Sequence, residues 1–466
     1  MIKHIRSRSI AVFIAVAALH VMSCNKKLDI APQNSIPADQ ALLTADDVNA
    51  AVNGLYAKLD DPSLYGTDLN LDAELMGGYQ QAAWTGSFTQ PRQMYRKTLT
   101  DDNSRVANLW LEAYADINLA NVVLSKLNLV TDSAQKANME GQALFIRGIL
   151  HFELVRFFAL PWDPTGTNAK PGVVIQTKPT STEAEAEAKS SRSTVAEVYK
   201  QIESDLKSAI AKLPERDASK RANRYTAMAF LARVYLQQSR FAEALPLADD
   251  IIQNGGFQLT PTVDGAFLNK NTSETLLEIQ QNDQNNAGAS NDGLSTFYAD
   301  RNGIGRGGDV DIPQAFVDLM DPADARLTLL IYEGETDGQY HTGKWFDPGQ
   351  NIPVIRLAEL YLVRAECNER LGSAVGATPL EDVNVVHTRA GLPELTVVTL
   401  DDILLERRLE LAFEGLRIHD IKRLKQSTNG GSDMTTVYPW NADKLVFPIP
   451  EREINANSSL VQNPGY

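Results

Sequence analysis

Apolar residues recur three and four positions apart in one block after another of this 466-residue chain, and that spacing commits most of it to helix. Helical patterning begins near Asp39, and Val48, Val52, Leu55 and Leu59 fall on one face. Trp110, Tyr114, Ile117, Asn121 and Leu124 repeat the pattern, as do Phe145, Ile149, Phe152, Val155 and Phe158, which Pro161 and Pro164 bring to a stop. The acidic, alanine-rich run over 181–188 reads as solvated linker, followed by a helix near Thr194 to Leu213 that ends at Pro214. Residues 222–254 predict a helix pair in which Leu231, Ala232, Tyr235 and Ala244 take the large, small, large and small positions of a tetratricopeptide unit of about 34 residues. The segment 231–236 (LARVYL) recurs as 357–362 (LAELYL). That distance is far longer than one repeat, so the units are interrupted by insertions. A third helical block spans about 352–426, and a Pro-rich extended tail starts at Leu445.

Two stretches break the periodicity, 61–100 and 255–350. Both are rich in Gly and polar residues and carry scattered rings; Leu276 to Ile279 is the one short strand predicted there. The expected fold is all-α, mainly helical: tetratricopeptide-like helix pairs form a scaffold that carries long irregular ligand-binding loops. The corresponding division is an N-terminal region over 24–254 and a C-terminal region over 255–466.

Long ordered loops bearing rings and polar side chains suit sugars, whose C–H faces stack on aromatic planes while their hydroxyls take hydrogen bonds. Tyr65, Tyr79, Trp84 and Tyr95, with Asn70 and Arg92 beside them, supply both kinds of contact in the first stretch. Phe297, Tyr298 and Trp345 do so in the second. Tyr79, Trp84 and Trp345 stand out because Gly or polar residues flank them. Every one of these rings has a second reading, as a peg that holds a long loop onto the helices. Trp110 and Tyr114, within helical periodicity, belong to the core.

The amino terminus carries Lys3, Arg6 and Arg8 and then ten apolar residues from Ile10 to Leu19. As a helix that run rises about 15 Å, half of what a membrane span needs, so it reads as a cleaved export signal. Val21-Met22-Ser23-Cys24 follows and is similar to a bacterial lipobox, which makes Cys24 the acylated first residue of the mature protein. Acyl chains, at about 0.8 kcal/mol per buried CH₂, would tether the domain to a bilayer. Loss of the leader moves the formal charge from −15 to −18. A surface this acidic excludes ordinary nucleic-acid binding. Two cysteines, Cys24 and Cys367, exclude a disulfide framework, and Cys367 reads as a core thiol.

Catalytic signatures are missing. There is no G-x-S-x-G elbow, H-E-x-x-H helix or C-x-x-C pair. The run Gly303–Gly308 fits G-x-G-x-x-G without the flanking strand and helix that the phosphate site requires, so it is read as a loop. Histidines 151, 341, 387 and 419 show no ligand spacing, and no metal or cofactor is expected. Glu406, Glu410 and Glu414, four apart, are expected to form a structural ion network with Arg407, Arg408 and Arg417.

Several pieces in order resemble one family, the SusD/RagB-like outer-membrane nutrient-binding lipoproteins. These pieces are Cys24 with Leu28, Asp29 and Pro32; 143–148 (ALFIRG) running into 151–158 (HFELVRFF); 355–362 (IRLAELYL); 406–417 (ERRLELAFEGLR); and the tail 447–450 (FPIP) with 463–466 (NPGY). The resemblance implies a helical core of about four tetratricopeptide-like units and no catalysis. It implies a lipid-anchored protein of the outer membrane that faces the exterior, captures oligosaccharides and delivers them to a SusC-like TonB-dependent transporter. Two other readings compete. One is a peptide-binding or purely structural lid or scaffold subunit of such a transporter. The other is an exported glycoside hydrolase.

Overall fold

The computed structural model describes residues 42–216 and 220–466; the leader and Cys24 lie outside the described residues. Val48, Val52, Leu55 and Leu59 occupy the buried face of the Ala45–Leu59 helix, as their spacing predicts. Thr44 starts that helix with a reciprocal cap: its side chain accepts from the Asp47 N–H while the Asp47 carboxylate accepts from the Thr44 N–H. Thr194, Thr378 and Thr399 repeat the device ahead of the Val195–Lys212, Pro379–Arg389 and Leu400–Glu410 helices. Each such cap contributes about 1 kcal/mol to fixing where a helix begins.

The helices then pack in pairs. Ser104–Ser125 lies on Ser133–Phe158, which lies on Val195–Lys212; Arg224–Gln237 lies on Phe241–Asn254, which in turn meets Leu357–Leu371. Small residues set the spacing: Ala232 and Ala244 are fully buried, and a Cβ on Gly141 would stand 2.9 Å from Leu213 Cγ. Buried ion pairs tie neighbouring helices at defined registers. Arg147 grips Asp205 through Nε at 2.8 Å and Nη2 at 2.6 Å, and Arg364 grips Asp382 through Nε at 2.9 Å and Nη2 at 2.6 Å. The echoed segments meet face to face: Arg233 and Glu359, which occupy the same place in each copy, pair with one another at Nε–Oε1 3.1 Å. Residues 44–466 form one contact unit around a common core.

The expectation that 61–100 is irregular needs correcting, because it contains the Asp68–Gly77 and Thr89–Arg96 helices. Asp68–Gly77 is buried on every side, so it has no amphipathic stripe for a periodicity argument to find. Its Asp68 and Asp72 are matched by Arg105, at 3.0 Å for Asp72. In the second stretch Thr275–Ile279 is the expected strand, paired antiparallel with Ile352–Arg356. Among the described residues sheet is otherwise confined to two-stranded pieces. No helix among the described residues is long and apolar enough to cross a membrane.

The ion network around Glu410 forms, but with other partners than the sequence suggested. The helix ends at Glu410 and Phe413 has a positive φ of 65°, so Glu414 does not continue the same face. Arg356 reaches three carboxylates: Glu274 at 2.7 Å, Glu410 at 2.6 Å and Glu414 at 2.8 Å. Arg389 bonds Glu274 at 2.7 Å and also Glu410, Arg326 bonds Asp324 and Glu406 at 2.8 Å each, and Lys344 bonds Glu414 at 2.7 Å. Burial opposes ionisation of Glu410, yet Arg389 and Arg356 outweigh it and hold the carboxyl well below its ordinary value. Arg407 instead serves Glu359 and Asp420, and Arg408 turns to Gln81 and the Gln80 carbonyl. Neutralisers come from elements distant in sequence because adjacent residues on a helix point to other faces.

Candidate functional site

The two irregular stretches are joined to each other. Ala83–Trp84 pairs antiparallel with Val310–Asp311, with Trp84 opposite Val310. The Thr85 and Gly86 amides both donate to the Asp309 carbonyl, at 3.0 and 3.2 Å. Farther along this seam Thr67 donates to the Asp292 carbonyl, and Gln281 donates to Asp60 at 2.6 Å.

Most of the predicted ligand rings are the fasteners of this seam or of the core, and the expectation that they face ligand is corrected accordingly. Trp84 is 5% exposed, with its ring 5.8 Å from that of Phe297. Phe297 is fully buried between Trp84, Phe88 and the Arg105 guanidinium, which lies 5.6 Å from its ring centre. Tyr298 is fully buried against Phe413, and Trp345 is buried with its Nε1–H donating to the Phe413 carbonyl at 2.8 Å. The buried Tyr65 hydroxyl donates to Glu153 at 2.8 Å. Asn70 is buried too, beside Gly415, where a Cβ would meet the Asn70 backbone at 2.8 Å. Arg92 is spent on the backbone, donating to the Gly86 and Ser87 carbonyls at 3.0 and 2.9 Å. Flanking glycines misled for a physical reason. A Cβ on Gly86 would lie 2.7 Å from the Trp84 ring, so that glycine makes room for a buried indole and does not expose one.

Tyr79 is different, 51% exposed just past the end of the Asp68–Gly77 helix. It neighbours Tyr95, whose hydroxyl is pushed up to about 12 chiefly by burial, with Tyr79 and Asp311 adding to the effect. Asp311 accepts from the Thr85 hydroxyl at 3.1 Å. Phe88 is 39% exposed and carries the Arg306 guanidinium 4.0 Å from its ring centre. Arg306 Nε stands 3.3 Å from Asp309 Oδ2, an ion pair that is not an aligned hydrogen bond. Tyr79, Thr85, Asp311, Arg306 and Phe88 thus place rings, hydroxyl, carboxylate and guanidinium along the seam. Sequence reasoning passed over Phe88 and Arg306. The signal was present, since Arg306 belongs to the glycine run at 303–308, whose first residue Gly303 forms with Asn302 the tight turn with positive φ that joins Asp300–Arg301 to Ile304–Gly305.

Near the same seam Asp300, Asp337 and His341 bring three ligand-type atoms within 4.8 Å of one another. His151 and His387 are structural. His151 Nδ1 faces the Arg147 carbonyl and burial pushes the ring down to about 4, while His387 Nδ1 pairs with Glu406 at 2.9 Å. A separate cleft of about 560 Å³, against Arg216, Arg221 and Phe257, has neither Trp nor Tyr in its wall.

Two family models match this chain: residues 27–236 fit the one described as starch-binding associating with outer membrane, and residues 328–466 fit the SusD family. SusD-like protein P2 of Formosa agariphila is 27% identical across 97% of this chain and 98% of its own length. A solved SusD superfamily protein from Bacteroides thetaiotaomicron superimposes with a TM-score of 0.82 at 26% identity, covering 91% of this chain and 100% of that one. Another from Bacteroides vulgatus, at 24% identity and a TM-score of 0.80 over 91% and 100% of the two chains, shares the fold. The paired helices, the joined loop stretches and these matches agree: the chain belongs to the SusD family, whose members are carbohydrate-binding proteins of the outer membrane and not enzymes.

Proposed function

We propose that this protein is lipid-anchored through Cys24, faces the cell exterior, captures oligosaccharides on the seam between its two loop stretches and delivers them to a SusC-like TonB-dependent transporter. The observation that carries the binding reading is the row Tyr79, Thr85, Asp311, Arg306 and Phe88. It offers the half-exposed Tyr79 ring for C–H stacking, the Arg306 guanidinium stacked on Phe88 as a planar donor, and acceptors for sugar hydroxyls at Thr85 and Asp311. Phe88 is backed by Phe297, which in turn packs on Trp84, so little of its side-chain entropy is lost when a ligand settles. The description of the matched family model as starch-binding and outer-membrane-associated supports a glycan over a peptide.

The test is calorimetric titration of the mature domain with the oligosaccharide that it selects from a glycan array. Tyr79→Ala and Phe88→Ala are expected to weaken binding roughly tenfold each, about 1.4 kcal/mol, with the unfolding midpoint unchanged in Tyr79→Ala. Full affinity in the Tyr79→Ala/Phe88→Ala double variant would move the ligand off this face, and silence across the whole array would remove the sugar reading.

A further inference from the structure

His341 is fully buried, and both of its ring nitrogens face acceptors. Nδ1 lies 3.1 Å from the Val310 carbonyl oxygen and Nε2 lies 3.1 Å from Asp337 Oδ1. A neutral imidazole has one proton to give. With that proton held by the carbonyl, the Nε2 lone pair points at a carboxylate, and two lone pairs that close repel unless a cation stands between them. A backbone carbonyl on one nitrogen and an open lone pair on the other is also the arrangement that orients histidine as a metal ligand. Asp300 joins from the other side. Its Oδ2 is aimed by the Thr336 and Asp337 amides, which donate to it at 2.7 and 3.2 Å.

Two glycines hold the space clear. A Cβ on Gly334 would stand 2.5 Å from both Asp300 Oδ2 and Asp337 Oδ1, and one on Gly308 would stand 2.7 Å from His341 Nε2. Donors bound at 2.0–2.1 Å to a tetrahedral ion lie roughly 3.3 Å apart, close to the Nε2–Oδ1 separation. Calcium and magnesium favour all-oxygen sets, whereas one imidazole with two carboxylates suits zinc-class ions.

We propose that Asp300, Asp337 and His341 form a binding site for one divalent transition ion of the zinc class. Asp337 is exposed, so the site fills from solvent and leaves a position open to water. The ion ties the 331–342 hairpin to the 300–305 hairpin and, through the Val310 carbonyl, to the strand pair that joins the two loop stretches. The site stands independently of the sugar reading.

The test uses the folded mature domain, stripped with chelator and titrated with zinc chloride by calorimetry, with calcium chloride in parallel. One equivalent of zinc is expected to bind and to raise the unfolding midpoint, with calcium at least tenfold weaker. His341→Ala and the surface change Asp337→Asn are each expected to lower zinc affinity at least tenfold. Asp337→Asn keeps the measurement informative if His341→Ala does not fold. Absence of a zinc equivalent, equal preference for calcium, or undiminished affinity in Asp337→Asn overturns the proposal.

Discussion

The Glu410 centre and the loop seam are both dense in charge, and they treat it in opposite ways. At the centre each carboxylate meets one or more guanidinium or ammonium groups drawn from distant elements, and exposure is nearly nil. At the seam the aspartates keep few partners. Asp309 Oδ2 makes no hydrogen bond among the described residues, and Trp84 Nε1–H finds no acceptor there. Paired carboxylates fix a register, whereas the more open polar groups at Thr85, Asp311 and Arg306, beside exposed rings, leave capacity for a ligand.

The sharpest way to break this contrast is to remove Arg356. Arg356→Ala strands Glu274, Glu410 and Glu414 in the interior, and the expected loss is about 3–5 kcal/mol in urea unfolding of the mature domain. A loss below about 1 kcal/mol would mean that the centre contributes little to holding the helices. Next comes the seam itself. Trp84→Ala empties a buried ring site and should cost roughly 3 kcal/mol, while Trp84→Phe, which keeps the contact with Phe297 and deletes an unpaired N–H, should cost under about 1.5 kcal/mol. Retained sugar affinity in Trp84→Phe would establish the indole as a peg; a selective loss of affinity at unchanged stability would restore it as a ligand contact.

The smallest effect is in pH. Burial pushes the Asp60 carboxyl up to about 6, despite the hydrogen bond from Gln281 that lowers it, and burial likewise raises Asp309 and Asp311. Asp420 goes the other way. Burial resists its ionisation, but Arg407 and Arg423 prevail and hold it at about 2. A raised carboxyl binds its proton more tightly folded than unfolded, so the seam gains stability as pH falls from 7 through about 6 towards 4. A depressed carboxyl contributes stability above its unfolded value and loses it as pH falls towards the folded one, so the Asp420 region weakens between about pH 4 and 2. Hydrogen exchange at pH 7, 5 and 3, corrected for intrinsic rates, should show seam amides better protected at pH 5 than at pH 7 and the 417–423 helix losing protection at pH 3. Parallel behaviour of the two regions would contradict the opposed shifts.

Helices that bury one stripe were legible from their spacing, as at Val48 to Leu59, and so was the Thr275–Ile279 strand. Asp68–Gly77 was not, because a helix buried all round has no period to read. At the seam, residue types were informative and their direction was not. Tyr79 and Trp84 lie five positions apart, both next to glycine or polar residues, yet one is half exposed and the other is buried. Direction is set by the partner strand at Val310–Asp311, more than 220 residues away, and no local pattern encodes that. The ion partners of Glu410 were hidden for the same reason.

The Arg233–Glu359 clasp has a further consequence. It clamps the Arg224–Gln237 helix, one helix before the second loop stretch departs, to the Leu357–Leu371 helix where the chain rejoins the scaffold, with the 275–279 and 352–356 strands locked alongside. Once the ends are fixed, lengthening or rewriting what lies between adds only the slowly growing entropy of a larger loop. The scaffold is therefore a chassis with a socket: descendants of one ancestor can exchange the insert while the scaffold helices stay where they were.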